Sequence, residues 1–268
     1  MIRLVVLDVD GTLLTYDESP GPGLHAALGT MSPKIAVWIA TGRRLAELLR
    51  VVERLGWRRD VAVCLNGALT VDLKRRHVLS AHQLAVDLEP LWERAEKSGL
   101  QAGAVFPTAT LPDLFGSPGL VNCGLPGYGG PRRRPLQEAC YMSVYGTRPA
   151  VLKWAAEATQ VEGVRVYSEW ERSGLFHAEL TPVGVTKQVA VSQVSARMGF
   201  AQHEVAAVGD AANDVALLRW AGLGVAMGNA TEDAQASADL VIGRVEEGGL
   251  ATFLRQIARG DVREVAGG

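Results

Sequence analysis

Two carboxylates stand two residues apart where the first apolar run of the chain ends. Ile2-Arg3-Leu4-Val5-Val6-Leu7 leads directly into Asp8-Val9-Asp10-Gly11-Thr12. The run is short, β-branched and nearly continuous, the pattern of a strand buried on both faces. Side chains two apart on a strand share a face, so Asp8 and Asp10 should emerge together at its C-terminal end. Open α/β sheets hold their ligands at such strand ends. Asp and Gly are also common turn residues, so taken alone the motif can be read as turn chemistry after a strand.

Four more clusters fall where a doubly wound sheet would bring them beside Asp8. Ala40-Thr41-Gly42-Arg43 ends a second apolar run and enters a helix. A hydroxyl and free N–H groups at a helix start suit a phosphate, and they equally suit an N-cap. Asn66-Gly67-Ala68 places a polar residue and a glycine after a third run, a weak signal alone. Lys187 lies near the start of the helix entered from Pro182-Val183-Gly184-Val185-Thr186. A lysine there opposes the helix dipole, a placement that makes sense if it faces an anion, although singly it reads as a surface lysine. Gly209-Asp210-Ala211-Ala212-Asn213-Asp214 follows the buried run Val205-Ala206-Ala207-Val208. Two acids and an amide facing Asp8 fit a Mg²⁺ site, because this ion takes oxygen ligands and keeps several waters.

Competing motifs fail on context. Gly21-Pro22-Gly23-Leu24-His25-Ala26 matches G-x-G-x-x-A but follows the polar stretch Tyr16-Asp17-Glu18-Ser19 rather than a strand, as a dinucleotide site requires. The five histidines, His25, His77, His82, His177 and His203, lack metal-ligand spacing, and no Walker A, H-E-x-x-H or G-x-S-x-G sequence occurs.

The elements that must position these residues alternate at both ends of the chain. The opening strand is followed by helix 22–31, strand 34–40, helix 43–55 and strand 61–65. Near the other end come helix 185–198, strand 204–208, helix 212–221, strand 224–227, helix 231–236, strand 240–242 and helix 248–259. This rhythm implies parallel strands joined by right-handed crossovers. The middle differs: strands 75–79 and 101–105 flank helix 86–98, and 141–145, 149–160, 164–167 and 175–180 form a β-α-β-β group. Between these groups, residues 107–135 are rich in Gly and Pro and carry Arg132-Arg133-Arg134, read first as a solvated turn. The expected fold is α/β, a Rossmann-like parallel-sheet core of residues 1–71 and 182–268 with an inserted α+β domain of residues 72–181.

The 268 residues are 48% hydrophobic and 21% charged with a net charge of -2, an ordinary globular balance that gives no support for nucleic-acid or membrane-surface binding. Cys64, Cys123 and Cys140 form no C-x-x-C pair or disulfide framework, which suggests a reducing compartment. No run reaches the roughly 18 apolar residues of a membrane span, and Asp8 cuts the first run too early for a signal-peptide core. A cytoplasmic location is expected; the oligomeric state is not legible.

Taken together and in this order, D-x-D-G-T, T-G-R, N-G-A, a lysine and G-D-x-x-N-D resemble the haloacid dehalogenase (HAD) superfamily of phosphatases. The place of the insertion, between the third strand and Lys187, resembles the type IIB cap of Cof-like sugar phosphatases, and Ala226-Met227-Gly228-Asn229-Ala230 also recurs in that group. The resemblance implies a Mg²⁺-dependent phosphatase of small phosphorylated metabolites, sugar phosphates foremost. It implies Asp8 as nucleophile, forming an aspartyl-phosphate, and Asp10 as general acid and then base. It further implies Mg²⁺ on the Asp8 carboxylate, the Asp10 carbonyl and Asp210, with Asp214 in support, and phosphoryl oxygens on Thr41, Gly42, Lys187 and Asn213. These roles need Asp8 ionised and Asp10 protonated at the first step, with neighbouring negative charges raising Asp10. The inserted domain would close over the site, with Glu179, Arg172 and Arg132 to Arg134 as candidate substrate contacts.

The chain departs from the family pattern in three places. Gln188 follows Lys187 where Gly is common, Ala211-Ala212 follow Gly209-Asp210 where a Gly-containing pair is usual, and Ile242-Gly243 with Glu246-Glu247-Gly248-Gly249 replaces the usual Thr and Asp. None removes a catalytic carboxylate. Alternatives sharing these motifs are a sugar phosphomutase, a sucrose-phosphate or mannosyl-3-phosphoglycerate phosphatase, and a non-catalytic phosphate-binding protein.

Overall fold

Every residue of the opening strand, Leu4 to Leu7, is fully buried, so both faces of the sheet around it are covered. The structure is a computed structural model and describes residues 1–56, 61–106, 136–172 and 175–261. The chain divides into two units, Met1–Arg75 with Thr186–Gly268, and Arg76–Val185.

The first unit begins β1 (Leu4–Leu7), α1 (Leu24–Thr30), β2 (Ala36–Ala40), α2 (Leu45–Arg54), β3 (Val61–Cys64) and β4 (Leu69–Asp72). The second unit contains β5 (His77–Ala81), α3 (Glu89–Lys97), β6 (Gln101–Val105), β7 (Tyr141–Gly146), α4 (Arg148–Ala158), β8 (Val164–Arg172) and β9 (Leu175–Pro182). The chain returns to the first unit with α5 (Lys187–Arg197), β10 (Val205–Gly209), α6 (Val215–Trp220), β11 (Leu223–Ala226), α7 (Glu232–Gln235), β12 (Leu240–Val241) and α8 (Gly249–Arg259).

Strand order in the first unit runs β12-β11-β10-β1-β2-β3-β4, parallel from β12 to β3, with β4 antiparallel to β3. Strands numbered upward from β2 lie on one side of β1, and β10 to β12 lie on the other. The order therefore reverses at β1, which makes its carboxyl end the switch point where such sheets bind ligands. Register places Leu7 opposite both Ile39 and Val208, so Asp8 stands level with Ala40 and Gly209, the last residues of β2 and β10. An α/β architecture was the expectation. The hairpin strand β4 was not, and the strand expected at 75–79 lies instead at His77–Ala81, after a turn in which Asp72 accepts a hydrogen bond from the Arg75 N–H at 2.7 Å.

The second unit has its own sheet, ordered β6-β7-β9-β8 and antiparallel throughout. Its core packs Trp92 and Ala95 of α3 and Trp154 and Ala158 of α4 against Ala102, Met142, Val144, Ala178 and Leu180 of the strands. Trp154 meets the need of a buried indole for an acceptor by donating to the Leu91 carbonyl at 2.9 Å. Among the described residues, no helix is long and apolar enough to cross a membrane.

Candidate active site

Lys187 opens helix α5, capped by the Thr186 hydroxyl, which accepts from the Val189 N–H at 3.1 Å. Its ammonium is buried between two carboxylates, 2.6 Å from Asp8 Oδ1 and 2.7 Å from Asp214 Oδ1. That answers the unfavourable dipole position: the lysine faces anions rather than solvent. Gly67, at φ +110°, lets the turn after β3 approach this helix start, and a Cβ there would collide with the Thr186 carbonyl.

Asp214 precedes helix α6, and its Oδ2 accepts from the Asp210 and Ala211 N–H groups, both at 3.2 Å. One carboxylate thus ties the loop after β10 to Lys187. Asp210 in turn accepts from the Tyr16 hydroxyl at 2.8 Å and the Thr12 hydroxyl at 3.3 Å. Gly11, at φ +76°, has no Cβ to strike the Asp210 carboxylate, and its carbonyl accepts from Asn229 at 2.8 Å. Asp8, Asp210 and Asp214 each offer an oxygen to a cluster spanning no more than 4.8 Å.

Asp10 also leaves the end of β1, but its partner is a cation. Arg43 Nε donates to Oδ2 at 2.9 Å and Nη2 to Oδ1 at 2.5 Å, with Glu18 3.3 Å from the same Nη2. A guanidinium fork on both oxygens favours a carboxylate. Arg43 stands in the T-G-R motif, whose local pattern gives no sign of the fork on Asp10.

Thr41 is fully buried and does not cap α2, which starts at Leu45; its hydroxyl accepts from the Arg43 N–H at 3.0 Å and leaves its own hydrogen to donate. Gly42 brings backbone close to Asn66, whose side chain lies 3.3 Å from the position of a Cβ. Asn66 itself sits at φ +53°, in the left-handed region that Asn tolerates better than most residues. Its Oδ1 accepts from Asn213 Nδ2 at 2.9 Å, which ties the N-G-A turn to the loop after β10. Thr12 stands in the D-x-D-G-T motif, Asn229 in Ala226-Met227-Gly228-Asn229-Ala230 and Tyr16 in the polar stretch before Gly21, but nothing in the local pattern of any of the three points to its partner about 200 residues away.

Burial dominates the electrostatics. Desolvation raises the Asp8 carboxyl well above its ordinary value; Lys187 pulls it down, while Asp214, Asp210 and Asp10 push it further up. Desolvation and then Asp214 push Asp210 up to about 7. Burial works against the charge on Lys187, but Asp214 and Asp8 outweigh it and hold the ammonium protonated. Three buried carboxyls against one ammonium leave an excess of negative charge, and their donors are hard oxygens. Both properties fit a small divalent cation.

The family model of haloacid dehalogenase-like hydrolases matches residues 5–102 and 146–254. Phosphoglycolate phosphatase of Methanopyrus kandleri is 27% identical over 258 residues, 96% of this chain and 97% of that protein. The 5-amino-6-(5-phospho-D-ribitylamino)uracil phosphatase of Bacillus subtilis matches more locally, at 39% over 77 residues, 29% of this chain and 31% of that protein. A solved phosphatase structure of the same superfamily, from Bacteroides thetaiotaomicron, superposes with a TM-score of 0.71 at 26% identity, covering 96% of this chain and 95% of that one. With the family model spanning most of the chain, the protein belongs to the haloacid dehalogenase-like hydrolases.

Proposed function

We propose that the protein is a phosphatase of small phosphorylated metabolites, dependent on Mg²⁺, with sugar phosphates as its substrate class and Asp8 as the nucleophile. The observation that carries this reading is Lys187, buried between Asp8 and Asp214 at the switch point of the sheet. A carboxylate beside a buried ammonium and two further acids is an arrangement for holding and attacking a phosphoryl group. Relatives named as phosphatases support the reaction class. The inserted cap expected at residues 72–181 is read onto the second unit, Arg76–Val185, and the protein is read as cytoplasmic.

In the first half-reaction an Asp8 carboxylate oxygen bonds to phosphorus as the phosphorus–oxygen bond to the leaving group breaks. Asp10 gives its proton to the departing alkoxide. In the second half, water attacks the phosphorus of the aspartyl-phosphate, passes a proton to Asp10 and frees Asp8. The Arg43 fork holds both Asp10 oxygens in a fixed orientation for these proton transfers. Lys187 neutralises charge on Asp8 and on the phosphoryl oxygens, and Thr41, Gly42 and Asn213 complete the phosphoryl cradle. Positioning and neutralisation supply most of the rate, because a loose transition state leaves little covalent work. The Asp8 carboxylate, the Asp10 carbonyl and Asp210, with Asp214 behind them, would hold Mg²⁺, which would offset the repulsion between nucleophile and phosphate.

Phosphate release from p-nitrophenyl phosphate and from sugar phosphates, with Mg²⁺ and after chelation, tests this. The wild type should turn over only with the metal, and Asp8→Asn should not turn over. Steady hydrolysis by Asp8→Asn at the wild-type rate would overturn the assignment.

A further inference from the structure

Tyr16 is 66% exposed, yet its hydroxyl donates at 2.8 Å to Oδ2 of Asp210, a residue only 2% exposed. The loop that carries Tyr16 closes on itself without that side chain. The Thr15 N–H donates to the Ser19 carbonyl at 2.9 Å, the Glu18 N–H to the Thr15 carbonyl at 2.9 Å, and the Ser19 N–H to the Thr15 hydroxyl at 3.2 Å. A ring left mostly in water also gains little from apolar burial. Neither the core nor the loop therefore accounts for a tyrosine at this position, whereas the bond to Asp210 does.

Asp210 carries a hydroxyl donor on each oxygen, Thr12 on Oδ1 at 3.3 Å and Tyr16 on Oδ2 at 2.8 Å. Oδ2 also lies so close to Gly11 that a Cβ there would collide with it, and the same Cβ would stand 2.9 Å from the Tyr16 hydroxyl oxygen. The carboxylate is thus held at both ends and cannot turn about its Cβ–Cγ bond without breaking these contacts. An ionised carboxylate has about four acceptor sites, so one donor on each oxygen still leaves a lone pair for a cation. Asp210 shares the 4.8 Å cluster with Asp8 and Asp214, where such a cation would sit. Thr12 belongs to the D-x-D-G-T motif; Tyr16 stands outside it.

We infer that Tyr16 is a positioning residue of the cation site, which holds Asp210 so that it gives one oxygen rather than two and thereby favours Mg²⁺ over Ca²⁺. The inference rests on the reading of Asp8, Asp210 and Asp214 as the place of a divalent cation. Mg²⁺ demands near-ideal octahedral geometry with short bonds, whereas Ca²⁺ accepts more and longer oxygen contacts, bidentate carboxylates among them. A carboxylate pinned at both oxygens suits the first ion. Freed of the Tyr16 hydroxyl, Asp210 gains the rotation that lets both oxygens face the ion, which suits the second. Hydrogen-bond partners that orient ligating side chains typically carry about 10- to 100-fold of metal affinity. A hydroxyl that only filled the site until a cation arrived would act in the opposite sense, and its removal would tighten binding.

The experiment compares wild type with Tyr16→Phe, which loses the hydroxyl alone. Titration calorimetry with MgCl₂ and with CaCl₂, without substrate, gives the affinity of each protein for each ion. The Mg²⁺ Kd should rise about tenfold or more in Tyr16→Phe and the Ca²⁺ Kd less than about threefold, so that the preference between the ions narrows. In chelator both proteins should melt in one cooperative transition, and the rise in melting temperature with added Mg²⁺ should be smaller for the variant. An unchanged or tighter Mg²⁺ Kd overturns the inference and leaves the cation site standing, because the wild type still binds. Equal losses for the two ions overturn it too, since orientation then does not choose between them. A variant that fails to melt cooperatively overturns it by showing that the hydroxyl serves the fold. Absence of Mg²⁺ binding to the wild type overturns the reading of the three acids as a cation site, and this inference with it.

Discussion

Arg43 grips Asp10 by both carboxylate oxygens, with Nε to Oδ2 at 2.9 Å and Nη2 to Oδ1 at 2.5 Å. The guanidinium side chain is 5% exposed, whereas that of Asp10 is 34% exposed. The pair therefore lies between a surface bridge and a buried one, and losing it should cost about 1–2 kcal/mol rather than the 3–5 of a fully buried pair. Arg43→Lys keeps the charge but not the fork, so Asp10 should lose its fixed orientation. We expect kcat to fall about tenfold with a smaller change in KM, and the loss to grow for poor leaving groups, whose departure needs the acid most. A steady-state series of aryl and alkyl phosphates measures this, and equal losses across the series would remove Arg43 from the proton-transfer step.

Asp8 and Lys187 should move stability in opposite directions. Burial holds the Asp8 carboxyl above its ordinary value, so a charge at that position is costly to the fold. Asp8→Asn supplies a neutral side chain of similar shape that still accepts from Lys187. The metal-free variant should unfold at higher denaturant than wild type while losing turnover. Lys187→Ala instead leaves Asp8 and Asp214 buried without their cation and should cost about 3 kcal/mol. Its effect on the transition state should be about 2–4 kcal/mol, as for removal of one charge-stabilising donor. Urea unfolding in chelator, beside kcat/KM in Mg²⁺, separates the two effects; a stable and active Lys187→Ala would mean that the lysine is dispensable.

The parts legible in advance were those governed by local periodicity. Alternation on β1 placed Asp8 and Asp10 at one strand end, and the dipole argument singled out Lys187 before any partner was known. The rejection of G-x-G-x-x-A also agrees with the structure: Gly23 stands before α1 at φ +71°, and among the described elements no strand precedes it after β1. Strand β4 was hidden because Ala68-Leu69-Thr70-Val71 continues the apolar character of the N-G-A turn and shows no boundary of its own. The Tyr16–Asp210 and Arg43–Asp10 contacts were hidden because they depend on how loops from different strands meet. Arg132 to Arg134 lie outside the described residues, as does the side chain of Arg172, while Glu179 is buried on β9 of the second unit.

Metal-free stability should depend on pH through Asp210. Its folded carboxyl, at about 7, lies above the ordinary value of 3.8, so the folded state binds the proton more tightly than the unfolded chain does. Its stabilising contribution is complete below about pH 4 and disappears as pH rises through 7. Wild type should therefore lose stability relative to Asp210→Asn between pH 5 and pH 8 in chelator. A divalent cation competes with that proton, so the Mg²⁺-induced rise in melting temperature should be small at pH 5 and larger at pH 8. Parallel melting curves for the two proteins across this range would show that Asp210 does not titrate there.

Gly67 is where backbone geometry and the site meet most closely. Its φ of +110° disfavours any side chain, and a Cβ would strike the Thr186 carbonyl, one residue before Lys187. Gly67→Ala should then destabilise through strain and collision together, by about 2–3 kcal/mol. Relief of the collision requires the start of α5 to retreat, which moves the ammonium away from Asp8. Gly199 is the control, at φ +80° but with nothing within 4 Å of a Cβ. Gly199→Ala meets strain alone and should cost about 1 kcal/mol without lowering kcat. Gly67→Ala should lower kcat by an order of magnitude or more, because a 1 Å misplacement of a charge-bearing group is enough for losses of that size. Denaturant unfolding and steady-state kinetics on both variants make the comparison, and equal kcat values would show that the helix start absorbs the added methyl without shifting Lys187.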